Sequence, residues 1–247
     1  MHRHKSFNLV NETVKPGFKY YSISLMLLLV VSLFCFLINC FFYNIVLINY
    51  FVFCVKVFLF LLISEVYGFQ YGRHALWLFV LSFVIICSFI TITVNFSNPV
   101  IIETSIVDFY DHVTQATVAY MNIPRLFEFF SIFYGMQLLS ISKKYFAGKL
   151  TFIRMFFVGL FVNIVFLLLL FLYYLYMHYN LKTSFDMLIL SFYQVAIISF
   201  ILAISFSIIV KFISKKEGYY IYDRREKYKI FSFILDSDHL HLYAHED

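Results

Sequence analysis

Six apolar runs partition the chain, at about residues 20–37, 45–64, 74–94, 126–142, 152–176 and 187–213. A helix needs roughly 20 mostly apolar residues to cross a bilayer, and the six runs meet or approach that length. The first two are separated only by 38–44 and must form a tight hairpin. The fourth is the weakest, because it is short and holds Glu128 and Gln137. The expected fold is all-α, a polytopic integral membrane protein with about six transmembrane helices. Its membrane domain spans 20–213, between tails at 1–19 and 214–247.

Composition excludes the soluble alternative. Apolar residues make up 62% of the 247 and charged residues 13%, against roughly 45–50% and about 25% in soluble domains. A globule of this size leaves too much surface exposed to hide that apolar excess. The first run is not expected to be a cleaved signal peptide: its apolar core is too long and no A-x-A-like site follows. The 34 Phe and 20 Tyr exceed what membrane burial needs. They are read as codon bias and carry no functional weight. The four cysteines, Cys35, Cys40, Cys54 and Cys87, form no C-x-x-C pair, which argues against a disulfide framework or a zinc site.

The basic residues set an orientation. The N-terminal tail, the second and fourth loops and the C-terminal tail together hold 16 Lys and Arg, whereas the other three loops hold 2. Basic residues favour the cytoplasmic face, so both termini are expected there. The net charge of +5 thus reports topology and contact with an anionic leaflet, not nucleic acid. The long third loop, 95–124, places Glu103, Asp108, Asp111 and His112 among apolar residues. It reads either as an interfacial or re-entrant element or as an ordinary surface loop.

Charges at membrane depth cost about 2.5–3.5 kcal/mol each on insertion scales, so they lead to candidate sites. Lys56 lies nine residues before Glu65, about 13 Å along a helix. It either snorkels toward water or pairs internally. Glu128 follows Arg125 by three residues, on one helix face, where a local ion pair is expected. Asn163, Gln137 and Gln194 could bind a polar ligand or tie helices together. No enzyme signature is found: G-x-S-x-G, H-E-x-x-H and the Walker loop are all missing. The stretch 236–247 carries His239, His241 and His245 among acids; it could bind a metal weakly but reads as a solvated tail.

After the second run the chain reads Ser64-Glu65-Val66-Tyr67-Gly68, then Arg73, then Leu76-Trp77. Further on come Pro124-Arg125, then Gly148-Lys149 with Arg154, and a tail from Glu217 through Tyr222-Asp223 and Tyr228 to Phe231. In order and spacing these resemble the E-V-Y-G…R…W, P-R, loop and tail motifs of the queuosine precursor transporter family, once grouped as putative vitamin uptake transporters. The resemblance covers about 53–231. It implies an inner-membrane importer of 7-deazaguanine bases, not an enzyme, with no cofactor. Its partners would be the deazapurine and the bilayer, and a homo-oligomer is compatible with it. Leu61 and Phe166 stand where the family usually has intramembrane carboxylates, and Ile230 where it has Pro. Lys56 replaces a small polar residue.

A deazapurine presents a guanine-like edge, so a site needs carboxylate or amide groups and an aromatic face. Glu65, Asn163, Gln137 and Trp77 could supply these. Glu65, Tyr67 and Arg73 form either a gate at the cytoplasmic end or a structural turn closed by a Glu65–Arg73 pair. Lys56 and Arg125 complete the set of candidates. Two other readings stand beside this one: a vitamin-binding subunit of an energised uptake system, and a non-transporting membrane scaffold.

Overall fold

The computed structural model describes residues 20–41, 46–96, 123–146, 149–176, 181–217, 219–223 and 240–244. It is an all-α polytopic membrane protein. Six helices, α1 (Tyr21–Phe41), α2 (Val46–Tyr67), α3 (Phe69–Phe96), α4 (Ile123–Tyr145), α5 (Thr151–Tyr176) and α6 (Leu181–Glu217), correspond one to one with the six apolar runs. Four of them, α2, α3, α5 and α6, are long and apolar enough to cross a membrane; α1 has a shorter apolar stretch, Tyr21–Phe34. The expected loop at 95–124, like both extreme tails, lies almost wholly outside the described residues.

α2 is the axis of the bundle. It packs against each of the other five helices, and Phe58, Phe60, Ile63 and Tyr67 are fully buried along it. A helix apolar all round belongs in an interior, and the sequence of α2 has that character. The outer helices invert the soluble pattern. On α6 the buried face carries Ser191, Val195, Ser199, Ala203, Ser207 and Ser214, whereas Phe192, Ile197, Phe200, Ile201, Ile204 and Ile208 are exposed. With lipid outside, large apolar side chains lose nothing by facing outward. Small residues inside let helices approach closely.

Close approach is most evident on α4 and α5. A Cβ on Gly135 would fall 2.1 Å from Cγ2 of Val162, and one on Gly159 would fall 2.5 Å from the ring of Phe58. Both glycines therefore mark helix contacts.

The junction between α2 and α3 departs from expectation. A nine-residue turn at 65–73 was expected, but the break is Gly68 alone. Gly68 adopts a φ of 90°, in the left-handed region that glycine enters at no steric cost. Its amide still bonds the Ser64 carbonyl at 3.0 Å. α3 therefore begins at Phe69, and Arg73 stands on that helix rather than in a loop.

The C-terminal stretch also departs from expectation. Strand β1 (Tyr219–Asp223) pairs antiparallel with β2 (Leu240–Ala244), in the register Tyr219↔Ala244 to Asp223↔Leu240. Part of the expected solvated tail is thus a strand, because its backbone groups find partners in β1 instead of water. β1 rests against α2, α4 and the end of α6.

Candidate functional site

Among the described residues, buried ion pairs of opposite polarity hang from α2 at Glu65 and at Lys56. Glu65, in its last turn, accepts a hydrogen bond from Nη2 of Arg154 on α5. The two residues are 1% and 2% exposed. Arg154 sits in the first turn of α5, where the helix dipole disfavours a cation; the carboxylate offsets that placement. Lys143, from the last turn of α4, donates to the backbone carbonyl of Glu65. That carbonyl belongs to the last turn of α2, which lacks intrahelical donors. Sequence proximity paired Glu65 with Arg73. The fold adds Arg154, 89 positions away.

Next to this pair is a layer of tyrosines. Tyr67, fully buried, donates its hydroxyl to Oε1 of Glu217 at 3.1 Å. The same oxygen accepts the Tyr20 amide at 2.9 Å, which caps the start of α1. Tyr21 stands edge-on to Tyr67 and Tyr71, with ring centroids 5.3 and 5.2 Å away. Its hydroxyl lies 3.2 Å from Nδ1 of His74. Arg73, buried, has its guanidinium 5.8 Å from the Phe69 ring centroid. One end of the bundle thus gathers Glu65, Tyr67 and Arg73 with Arg154, Lys143 and Glu217.

The second pair lies deeper. Lys56 donates to Oε1 of Glu128 on α4, and both residues are nearly inaccessible, at 3% and 2% exposure. The rings of Phe53 and Phe79 stand 5.9 and 5.8 Å from the ammonium. Lys56 is therefore shielded from lipid. Glu128, expected to pair within its own helix with Arg125, takes a cation from α2. The reason is packing: α4 lies against α2, and in a low-dielectric interior a carboxylate needs a close counter-charge. The Arg125 side chain lies outside the described residues.

Asn163 occupies the middle of α5 with no exposed surface. Its Nδ2 donates to Oγ of Ser199 on α6 at 2.9 Å. Its carbonyl Oδ1 has no hydrogen-bond partner among the described residues. One turn further along α5, Phe166 stacks on Phe53 with centroids 4.0 Å apart. Trp77 packs on Phe129 of α4 at 5.3 Å, and Gln137 is half-buried on α4.

The candidates therefore fall into separate places. Glu65, Tyr67 and Arg73 converge; Lys56, Asn163, Trp77 and Gln137 do not join them. Sequence reasoning did not give Arg154, Lys143 and Glu217 roles as partners. Arg154 and Glu217 carried a signal as members of short motifs, whereas Lys143 showed only as part of a basic cluster. The chain matches no family model, no curated protein and no solved structure.

Proposed function

We propose that the chain imports queuosine precursors, 7-deazaguanine bases, across a bacterial inner membrane, with both termini in the cytoplasm. One observation carries this reading. The short motifs that resemble the transporter family lie far apart in sequence, yet their polar members touch. Glu65 of the first motif meets Arg154 of the loop motif, and Tyr67 of the first meets Glu217 of the tail motif. Motifs matched by chance would have no reason to converge at one end of a bundle.

The buried chemistry supports a carrier of polar solute. A guanine-like edge brings N–H donors, and the Asn163 Oδ1 is a buried acceptor of the matching kind. The end that holds Glu65, Arg154 and Lys143 is, on the basic-residue bias, the cytoplasmic one. It is placed to act as a gate.

A second reading, a membrane scaffold that carries nothing, draws on Phe166. Where the family has an intramembrane carboxylate, this ring stacks on Phe53. Uptake decides between the two. The chain is expressed in a host that lacks its own importer, labelled precursor is supplied, and modified tRNA is measured. Restored modification is expected; none, with inserted protein present, would leave the scaffold.

A further inference from the structure

The Lys56–Glu128 pair has no counterpart in the motifs and no role in the gate. Replacing a buried ion pair with apolar residues is often neutral or stabilising, by about 1–4 kcal/mol, whereas removing one partner costs about 3–5 kcal/mol. The pair therefore holds α2 and α4 together strongly only while both charges persist. If the helices are to separate here, one charge must first be neutralised.

We propose that Glu128 is the proton-binding site that couples transport to a proton gradient, an inference that rests on the transport reading above. Glu128 is five residues from the start of α4 at Ile123, about 7 Å along the helix. That end is opposite the one holding Lys143 and Glu65, so Glu128 lies in the outer half of the bundle. A proton from the outer side adds to the Glu128 carboxylate and makes a neutral carboxylic acid. Lys56 keeps its own proton and loses its counter-charge, so α2 and α4 can part. When the pair closes again, the acid releases its proton to the cytoplasmic side and the carboxylate returns. One proton crosses per cycle, with no other reactant.

The surroundings suit this role. Among the described residues, Lys56 of α2 faces Glu128 across the helix interface. From α3 the neighbour of the pair is the Phe79 ring, and beyond Trp77 that helix carries no Asp, Glu, Lys, Arg or His. α5 has no ionisable side chain between Leu160 and Leu172. On α4 itself Arg125 is three residues away. Ser131, one turn on, is buried, and its hydroxyl lacks a hydrogen-bond partner among the described residues. It could receive the acid's hydrogen. Phe79 also lines an apolar cavity of about 320 Å³ between α1 and α3, which gives its ring room to move when Lys56 is released.

The test uses the full chain in two arms. In liposomes, labelled 7-cyano-7-deazaguanine is followed both in exchange, with equal concentrations on both sides, and in accumulation driven by an inward proton gradient. The wild type should accumulate at least tenfold more with the gradient than without. In Glu128→Gln the ratio of accumulation to exchange should fall at least tenfold. Gradient-driven accumulation that survives in Glu128→Gln would overturn the proposal. In the second arm, infrared spectra of the purified protein are recorded across a pH titration with no substrate present. A protonated-carboxyl band is expected that disappears in Glu128→Gln and in the Lys56→Gln/Glu128→Gln double variant, whose amides can still bond if the single variant fails to fold. Identical bands in wild type and variants would overturn the proton site. If the wild type shows no exchange at all, the transport reading falls and the infrared arm alone decides the proton site.

Discussion

Tyr67 and Glu217 are 150 positions apart and meet through one hydrogen bond of 3.1 Å, from a buried phenol to a carboxylate at the end of the last helix. Hydrogen bonds to charged groups contribute about 1.5–3 kcal/mol. Tyr67→Phe and Glu217→Gln should each lower thermal stability of the purified protein in detergent. Together they should lower it by less than the sum, with a coupling of about 1 kcal/mol or more. Additivity within about 0.3 kcal/mol would show that the contact contributes nothing of its own.

Glu65→Gln removes a buried carboxylate from Arg154. Breaking such a pair costs about 3–5 kcal/mol, so the yield of folded protein should drop. Adding Arg154→Gln should restore much of that yield, because a neutral pair can still bond. If the pair gates transport, uptake per folded molecule should stay at least tenfold below wild type in both variants. A per-molecule rate equal to wild type in Glu65→Gln would reject the gate.

Gly135→Ala should destabilise by about 1–3 kcal/mol, the usual range for overpacking. The new methyl would stand 2.1 Å from Cγ2 of Val162, and the gain in helix propensity over glycine, about 1 kcal/mol, is smaller than that clash requires. Val162→Ala removes the offending carbon and should rescue the variant. Melting curves of the three proteins check this; no rescue would place the strain elsewhere.

Reporter fusions after Asp247 and within 98–114 should report opposite sides of the membrane. The expectation follows from the 16-to-2 division of basic residues. The same side for both would remove an odd number of spans from the six-helix arrangement.

The helices were legible because membrane burial writes long apolar runs, and all six were found with ends within a few residues, save at the starts of α3 and α6. At α3 the polar run Gln70–His74 read as a loop. It is helical because Gly68 turns the chain in one residue and the tyrosines of α1 and α2 cover the polar face. The partners were less legible. Lys56 left two readings open along the chain, snorkelling toward water or internal pairing, and the fold shows the pairing. Nothing along the chain said that Glu128 would supply the counter-charge. The same holds for Arg154: its charge was visible, but its place against Glu65 depends on how α5 packs on α2. Single-sequence patterns report what each helix buries, not which neighbour it meets.

α6 runs for 37 residues, about 55 Å of helix. Even tilted by 40°, the upper end of what is seen for such helices, it would rise about 42 Å, against roughly 30 Å of hydrocarbon. Its final residue, Glu217, is fastened to Tyr20 and Tyr67 at the base of the bundle. One end of this rod is therefore anchored, and the surplus emerges at the Leu181 end. The extra length at the Leu181 end is thus free of that anchor, and it is there that α6 can project beyond the hydrocarbon.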